Sequence, residues 1–199
     1  GEAFDLQASV TSPKEHGVTF HCKVAETPGM NTTDLVFTDD GQGPDDSAGD
    51  GILSSRFTGL EEGFFTAEFE IFDDEEQSTL GYTGIIRFTT VPSPFVDPGI
   101  LELPSDESAV YDLALEYSSS VDIAGLEMLL TTDDPNVQVN TGKRPFGDLA
   151  PDSSASKLFS VECVEGTQDG TELSLTANIS SDGYVYWMEP ITLSVVSSS

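Results

Sequence analysis

Apolar and polar residues alternate with a period of two along most of the chain, and this pattern constrains the fold more than any other feature. In Val18–Val24 and again in Phe65–Ile71, every second residue is apolar and the residues between are mostly polar or charged. Such alternation is typical of half-buried strands, whereas helical periodicity is nearly absent. The sequence therefore predicts an all-β chain.

The predicted strands fall into two groups of about seven, which is the number expected for an immunoglobulin-like β-sandwich. Between the groups, Val91-Pro92-Ser93-Pro94 interrupts the alternation, because prolines cannot donate to a strand ladder and favour an extended connection. We therefore expect two tandem immunoglobulin-like β-sandwich domains, at residues 1–93 and 94–199. The predicted strands are Phe4–Val10, Val18–Val24, Asp34–Thr38, Gly51–Phe57, Phe64–Phe72, Thr83–Thr90, Gly99–Leu103, Val110–Ser118, Ala124–Thr131, Val137–Asn140, Lys157–Val164, Thr171–Ile179 and Ile191–Val196.

Charge excludes several classes of partner. The 199 residues include 36 Asp and Glu against 7 Lys and Arg, a net charge of −29. This field repels phosphate backbones and anionic headgroups, so nucleic acid and membrane surfaces are not expected partners. No apolar stretch approaches the roughly 20 residues of a membrane-spanning helix. Because the chain begins at Gly1, we expect a mature product or an excised piece of a longer protein.

The segment Asp39–Gly51 is the densest acidic stretch, with five aspartates and four glycines in thirteen residues. Crowded carboxylates repel one another unless a cation lies among them, and Ca²⁺ prefers six to eight oxygen ligands on a flexible loop. The spacing does not match an EF-hand loop. Two interpretations stay open, a calcium site and a metal-free network of Asx turns. The candidate calcium ligands are Asp39, Asp40, Asp45, Asp46 and Asp50.

The run FTDDGQGPDDSAGDGILSSRF, from Phe37 to Phe57, resembles the D-D-G…A-G-D-G-I-Y signature of fibronectin-III-like or immunoglobulin-like modules of secreted proteins. It is similar to the distal module of the calcium-activated chloride channel regulator proteins. One departure is Leu53, where an aromatic residue usually follows the isoleucine. The resemblance covers about residues 4–91 and implies a β-sandwich module that is usually non-catalytic.

The second half resembles, more loosely, an adhesion-type β-sandwich found near the C-termini of secreted peptidases and cell-surface proteins. The resemblance rests on Asp133–Val139, Phe146–Pro151 and Ser153–Ala155. These are turn and strand patterns, so they imply a fold rather than an activity.

Catalytic signatures are missing from the sequence. His16 and His21 are the only histidines, and no metalloprotease, nucleophile-elbow or phosphate-loop motif occurs. We therefore expect no enzyme activity. Cys22 and Cys163 each follow the apolar phase of their strand, so we expect two buried, reduced thiols rather than a disulfide.

Two further groups of residues have a structural and a functional interpretation. Tyr184, Tyr186 and Trp187 pack in a core or form a sugar-stacking platform. Asn31 and Asn178 begin N-x-S/T sequons, which accept glycans only in a cell that has the machinery.

The leading hypothesis is a non-catalytic extracellular or cell-surface protein, structural or adhesive, with a calcium-stabilised loop. As a stalk, filament or surface-layer unit it would contact other protein subunits, surface polymers or further copies of itself. The alternatives are accessory domains of a secreted hydrolase and a carbohydrate-binding module. The acidity also suits a saline environment, where dense carboxylates keep a surface hydrated.

Overall fold

The computed structural model describes residues 4–9, 18–27, 32–57, 61–73, 76–82 and 85–197. These residues form strands, turns and irregular segments without a helix, so the chain is all-β, as the alternation predicts. Within the described ranges, no apolar helix of membrane-spanning length occurs. The chain divides into two compact units, Gly1–Val91 and Pro92–Ser199. This division falls inside the proline segment, two residues before the expected domain boundary.

The first unit contains seven described strands. They are β1 (Phe4–Ser9), β2 (Val18–Thr27), β3 (Thr32–Phe37), β4 (Ile52–Phe57), β5 (Phe64–Asp73), β6 (Ser78–Tyr82) and β7 (Ile86–Thr89). One sheet has the order β3-β2-β5-β6, with β7 also paired to β5, and a two-stranded sheet joins β1 to β4. All of these pairings are antiparallel.

The core of the first unit is made by alternate residues of β2, β3 and β5, together with one residue of β4. Cys22 and Val24 are almost fully buried, while Lys23 between them is exposed. Phe37 and Phe69 meet with their ring centroids 5.7 Å apart, and Phe69 packs against the buried cluster. The buried members of this core are Cys22, Val24, Leu35, Phe37, Leu53, Phe65 and Ala67.

The second unit contains eight strands in two sheets. They are β8 (Ile100–Pro104), β9 (Ser108–Tyr117), β10 (Ile123–Thr131), β11 (Val137–Thr141), β12 (Lys143–Leu149), β13 (Ser153–Cys163), β14 (Glu172–Ser181) and β15 (Tyr184–Val196). One sheet has the order β12-β10-β14-β15-β8 and the other β11-β13-β9. Every pairing is antiparallel except that of β8 with β15, which is parallel.

Both sheets of the second unit bury alternate residues. On β14, Leu173, Leu175, Ala177 and Ile179 are all buried, as period-two alternation requires. The buried residues of the three-stranded sheet include Leu113, Leu115, Tyr117, Phe159, Val161 and Cys163. These inward rows make the hydrophobic core of the unit, and the opposite faces are left to solvent.

Gly142 lies where the chain passes from one sheet to the other. The preceding strand β11 pairs with β13, and the following strand β12 pairs with β10. A Cβ atom at Gly142 would lie 2.9 Å from the carbonyl oxygen of Leu130 and 2.8 Å from Cγ1 of Val139. The backbone N–H of Leu130 donates to the carbonyl of Gly142 at 2.7 Å, which fixes this close approach. The crossing therefore requires a residue without a side chain.

Several elements differ from the strand predictions, among them β13, which begins at Ser153 rather than Lys157. The short strand β6 and the strand β12 were not expected, since β12 contains Pro145 and Gly147, which normally argue against a strand. The last strand begins at Tyr184 rather than Ile191. In the first unit, Ile86 is 54% exposed, although its alternation with Phe88 predicts the same buried face.

The two cysteines are buried and unbridged, which confirms the expectation of free thiols. Each lies on the inward face of its strand, with 1% of Cys22 and 2% of Cys163 exposed. Burial raises the pKa of the Cys22 thiol to about 11, because the thiolate would lose its hydration.

Candidate metal site

The acidic loop connects β3 to β4, and its two ends are held together by backbone hydrogen bonds. The N–H of Thr38 donates to the carbonyl of Ser54 at 3.1 Å, and the N–H of Ser54 donates back to the carbonyl of Thr38 at 2.9 Å. The residues between these two positions therefore form a closed loop, which brings distant aspartates near one another.

Asp39, at the start of the loop, accepts hydrogen bonds from three backbone N–H groups near its end. Its Oδ1 accepts the backbone N–H groups of Gly49 at 2.5 Å and Asp50 at 3.2 Å, and its Oδ2 accepts that of Gly51 at 3.0 Å. Three successive N–H groups thus point at one carboxylate, an arrangement that concentrates positive backbone dipoles on an anion. Positive φ angles of 77° at Gly49 and 83° at Gly51 make this turn accessible mainly to glycine.

Asp45, in the middle of the loop, accepts hydrogen bonds from two backbone N–H groups and is only 4% exposed. Its Oδ2 accepts the N–H of Gly41 at 2.7 Å and its Oδ1 that of Ser47 at 3.1 Å. The hydrogen bond from Gly41 is the main reason that the pKa of Asp45 lies below its usual value; desolvation opposes this shift, and the Ser47 and Asp40 backbones add to it. The folded loop therefore holds Asp45 as a carboxylate.

Two other aspartates form local turns. Oδ1 of Asp40 accepts the N–H of Gln42 at 2.9 Å, and Oδ1 of Asp50 accepts the N–H of Ile52 at 2.9 Å. Each bond joins residues two apart, which is the geometry of an Asx turn. Gly41, which follows Asp40, has a φ of 69°. A Cβ atom at this position would lie 2.9 Å from the backbone nitrogen of Ala48.

Three of the five predicted ligands converge. Carboxylate oxygens of Asp39, Asp45 and Asp50 all lie within 4.8 Å of one another, while Asp40 and Asp46 are outside this group. The three side chains come from the start, the middle and the later part of the loop, so sequence spacing alone does not select them. Each of the three accepts at least one backbone N–H group, and so does Asp40 outside the group, so the position of each residue in the folded loop determines which carboxylates meet.

The three converging carboxylates keep acceptor sites that their backbone N–H donors do not use. Six backbone N–H bonds reach them, three at Asp39, two at Asp45 and one at Asp50. Each carboxylate offers about four lone-pair sites, so roughly half of the acceptor capacity stays open. No Lys or Arg occurs between Lys23 and Arg56 in the sequence, so the loop has no basic residue of its own. The arrangement thus suits a hard cation with oxygen ligands.

The aromatic residues of β15 do not share one exposed face. Trp187 is 8% exposed and lies in the core, whereas Tyr184 is 43% exposed. The rings of Tyr186 and Trp187 are 5.7 Å apart and inclined by 54°. Burial therefore supports the core interpretation for Trp187, while Tyr184 stays on the surface.

The second sequon lies within a strand, and its asparagine is hydrogen-bonded. The side-chain amide nitrogen of Asn178 donates to Oγ1 of Thr131 at 2.9 Å and to the carbonyl of Leu129 at 3.2 Å. Both amide hydrogens thereby hold β14 to β10. The first sequon asparagine, Asn31, and His16 lie outside the described residues. His21 is partly buried and meets Phe72 edge-on at 6.0 Å.

No protein-family model and no curated protein matches this chain. Among solved structures, it is similar to the native conformation of Escherichia coli alpha-2-macroglobulin, with a TM-score of 0.42, 10% identity, and coverage of 98% of this chain and 16% of that one. A Salmonella alpha-2-macroglobulin mutant gives a TM-score of 0.42 and 9% identity, covering 98% of this chain and 15% of that one. The chain thus spans about a sixth of the length of these proteins.

Proposed function

We propose that this chain is a non-catalytic structural or adhesive segment of an extracellular or cell-surface protein, made of two immunoglobulin-like β-sandwiches, the first stabilised by calcium. The single observation that carries the calcium role is the convergence of Asp39, Asp45 and Asp50 within 4.8 Å. The partners are other protein subunits or surface polymers, with the chain serving as a stalk, filament or surface-layer unit.

The sandwich assignment is supported by the sheets. The second unit has a five-stranded and a three-stranded sheet, each with one buried and one solvated face. The first unit likewise has two sheets of antiparallel strands.

Calcium in this loop would act on stability rather than on chemistry. Bringing three carboxylates together costs electrostatic free energy, and a divalent cation removes that cost in the folded state. Because the ligands come from both ends of the loop, the cation would also tie the end of β3 to the start of β4. A metal that binds only the folded state stabilises it by RT ln(1 + [L]/Kd), about 2.7 kcal/mol at a hundredfold excess over Kd.

Calorimetry and thermal unfolding with and without calcium test this proposal. We expect a binding heat and a rise in the melting temperature of the first unit with calcium, both reversed by a chelator. Sodium chloride at equal ionic strength controls for general screening, because screening alone does not depend on the identity of the cation. The metal-free network of Asx turns is the correct interpretation if calcium gives no heat and leaves the melting curve where sodium chloride leaves it.

A pair of matched variants separates the site from the loop. Asp50→Asn keeps an oxygen for the N–H of Ile52 but removes one converging charge, whereas Asp46→Asn removes a charge outside the group. We expect the calcium response to weaken strongly in the first variant and to persist in the second. Equal responses in both variants would assign the effect to net charge.

A further inference from the structure

A cavity of about 560 Å³ lies in the second unit, where the three-stranded sheet ends. Three neighbouring segments line it, namely the extended residues Phe95 and Val96, the end of β9 and the start of β13. These segments are adjacent because Phe95 pairs with Leu115 on one side of β9, while Ser153 pairs with Tyr117 on the other side. The cavity is therefore built on paired backbone of a single unit.

Backbone hydrogen bonds fix the segment that forms one wall of the cavity. The N–H of Val96 donates to the carbonyl of Ala114 at 3.2 Å, and the N–H of Glu116 donates to the carbonyl of Pro94 at 2.7 Å. Phe95 lies between these two bonds. Its position against β9 is therefore set by the fold and does not require a ligand.

Two carboxylates and two serine hydroxyls supply much of the polar lining. Glu116, Asp152, Ser118 and Ser154 are all exposed to solvent. Within the part of the chain that the structure describes, none of these four side chains has a hydrogen-bond or ion-pair partner. Their acceptor sites are therefore available to a ligand.

The described lining of the cavity contains no basic residue. The second unit has three Lys and Arg residues, and all of them lie elsewhere. Lys143 pairs with Glu127 at 2.9 Å. Nε of Arg144 donates to the carbonyl of Leu158 at 2.9 Å, and Lys157 lies farther along β13. The negative charge of the lining is therefore not neutralised by a basic neighbour in the cavity.

The apolar part of the lining is an aromatic ring beside a branched aliphatic side chain. Phe95 and Val96 are both partly buried. An aromatic ring attracts a cation through its negative face, and an apolar wall suits the methylene stem of a long basic side chain. The combination of carboxylates with this wall therefore matches a cation that is carried on an apolar stem.

A metal ion or a neutral sugar matches the cavity less well. Among the described residues, Asp39, Asp45 and Asp50 are the group of three whose ligand atoms converge, and none of them lines this cavity. A metal ion would also leave most of the volume empty and make no use of the ring. A neutral sugar would stack on Phe95 but would gain nothing from the charge of −29.

We propose that this cavity binds the arginine side chain of a partner protein. We call it the acidic pocket, lined by Phe95, Val96, Glu116, Asp152 and Ser154. The guanidinium head would contact the two carboxylates, and the stem or the planar face of the head would lie against Phe95. The proposal stands independently of the calcium site and of the structural role proposed above.

The affinity for one side chain should be about millimolar, because the pocket is open to solvent and exposed ion pairs are individually weak. Binding should weaken as the salt concentration rises from about 0.1 M to 1 M, because screening reduces the attraction between unlike charges. Burial of apolar surface alone does not weaken in this way. Salt dependence therefore distinguishes recognition of the charge from simple apolar contact.

An NMR titration of the full chain in chelator measures this binding. The probe is a blocked pentapeptide with a central arginine between glycines, and we expect saturable shifts of the backbone amides of Val96, Ser153 and Ser154. The same peptide with citrulline keeps the shape without the charge and should bind about fivefold more weakly or less. Agmatine supplies the same head and stem as a free small molecule, and the peptide should bind at least as tightly.

Matched variants separate the pocket from the general field of an acidic protein. Glu116→Gln and Asp152→Asn should each raise the dissociation constant about threefold or more, because each removes one charge from the lining. Asp112→Asn is the control, since it removes an exposed carboxylate of β9 that does not line the pocket. It should change the dissociation constant by less than about twofold. Circular dichroism and melting curves check that all three variants are folded.

Several results would overturn the proposal. They are the absence of a saturable shift, equal binding of the citrulline peptide, and equal effects of Asp112→Asn and Glu116→Gln. Tighter binding of agmatine than of the peptide would assign the pocket to a free amine instead of a partner protein. Saturation of the same amide signals by calcium alone, without chelator, would assign it to a metal. Because the peptide titrations are made in chelator, their outcome does not depend on that of the calcium experiment.

Discussion

Oδ2 of Asp39 accepts the backbone N–H of Gly51 at 3.0 Å, so the first aspartate of the acidic loop is bonded to its last glycine. Together with the bonds from Gly49 and Asp50, this contact closes the loop independently of any cation. The carboxylate of Asp39 is therefore a structural acceptor first, and its capacity to bind a metal depends on that placement.

Replacing Asp39 with alanine should destabilise the first unit by about 1–2 kcal/mol, because three N–H donors lose a charged acceptor and must turn to water. A decrease of about 1 kcal/mol in the free energy of unfolding lowers the melting temperature of a domain of this size by roughly 4–8 °C. Asp46→Ala removes the same charge at an exposed position and should change stability by less than about 0.5 kcal/mol. Chemical denaturation in chelator measures both, and equal effects would contradict the structural role.

Acid should weaken the loop through Asp45. Its pKa is lowered in the folded state, chiefly by the N–H of Gly41, so its contribution to stability is fully present above the ordinary value of 3.8. That contribution is lost as the pH falls through the lowered folded pKa, because both states then bind the proton. In chelator, the stability difference between the wild type and Asp45→Asn should shrink as the pH falls through this range. Asp46→Asn gives the effect of charge alone, and a difference that is constant with pH would be inconsistent with this linkage.

Both thiols should resist alkylation in the native protein. Cys22 is almost fully buried and has a pKa of about 11, so at pH 8 only about one thiol in a thousand is ionised. Cys163 is protected by burial in the core of its unit. A thiol reagent should therefore label neither residue quickly at pH 8, and should label two per chain after denaturation without reductant. Finding no thiol after denaturation of the monomer would reveal a disulfide instead.

Gly142→Ala should destabilise the second unit by about 1–3 kcal/mol, because the new methyl group would meet the backbone carbonyl of Leu130 at 2.9 Å. Gly81→Ala is the matched control, since nothing lies within 4 Å of the Cβ position there. Removing a glycine also restricts the unfolded chain, which favours the control variant by up to about 1 kcal/mol. Unfolding curves measure both changes in stability. An unchanged free energy of unfolding for Gly142→Ala would show that the backbone between β11 and β12 can move away from Leu130.

Period-two alternation predicts most strands, because a strand that buries one face of its sheet carries an apolar residue at every second position. Leu113, Leu115 and Tyr117 occupy alternate positions of the predicted strand Val110–Ser118 and are all buried, and so are Cys22 and Val24. The alternation does not predict strand β12, because it contains Pro145 and Gly147. A strand tolerates these residues at the edge of a sheet, which is where β12 lies. Edge position depends on which strands pair over long distances, and a local pattern does not contain that information.

The acidic loop shows the same limit at the level of single side chains. Five aspartates were candidates, and the sequence treats them alike. Their separation into a converging group and an outer pair depends on backbone N–H directions, which follow from positive φ angles at Gly41, Gly49 and Gly51. The glycines could have been used as a signal, because a left-handed residue redirects the N–H groups that follow it.

The parallel pairing of β8 with β15 determines how the second unit would carry a load. Thr192 to Val196 lie opposite Ile100 to Pro104 in the same direction, so the first and last strands of the unit are direct neighbours. Tension applied to the two ends of the unit pulls these strands along their length in opposite directions. The hydrogen bonds between them are then sheared together instead of being peeled apart one at a time. A unit built in this way resists extension until the whole terminal ladder yields, which is the behaviour that a tether under tension needs.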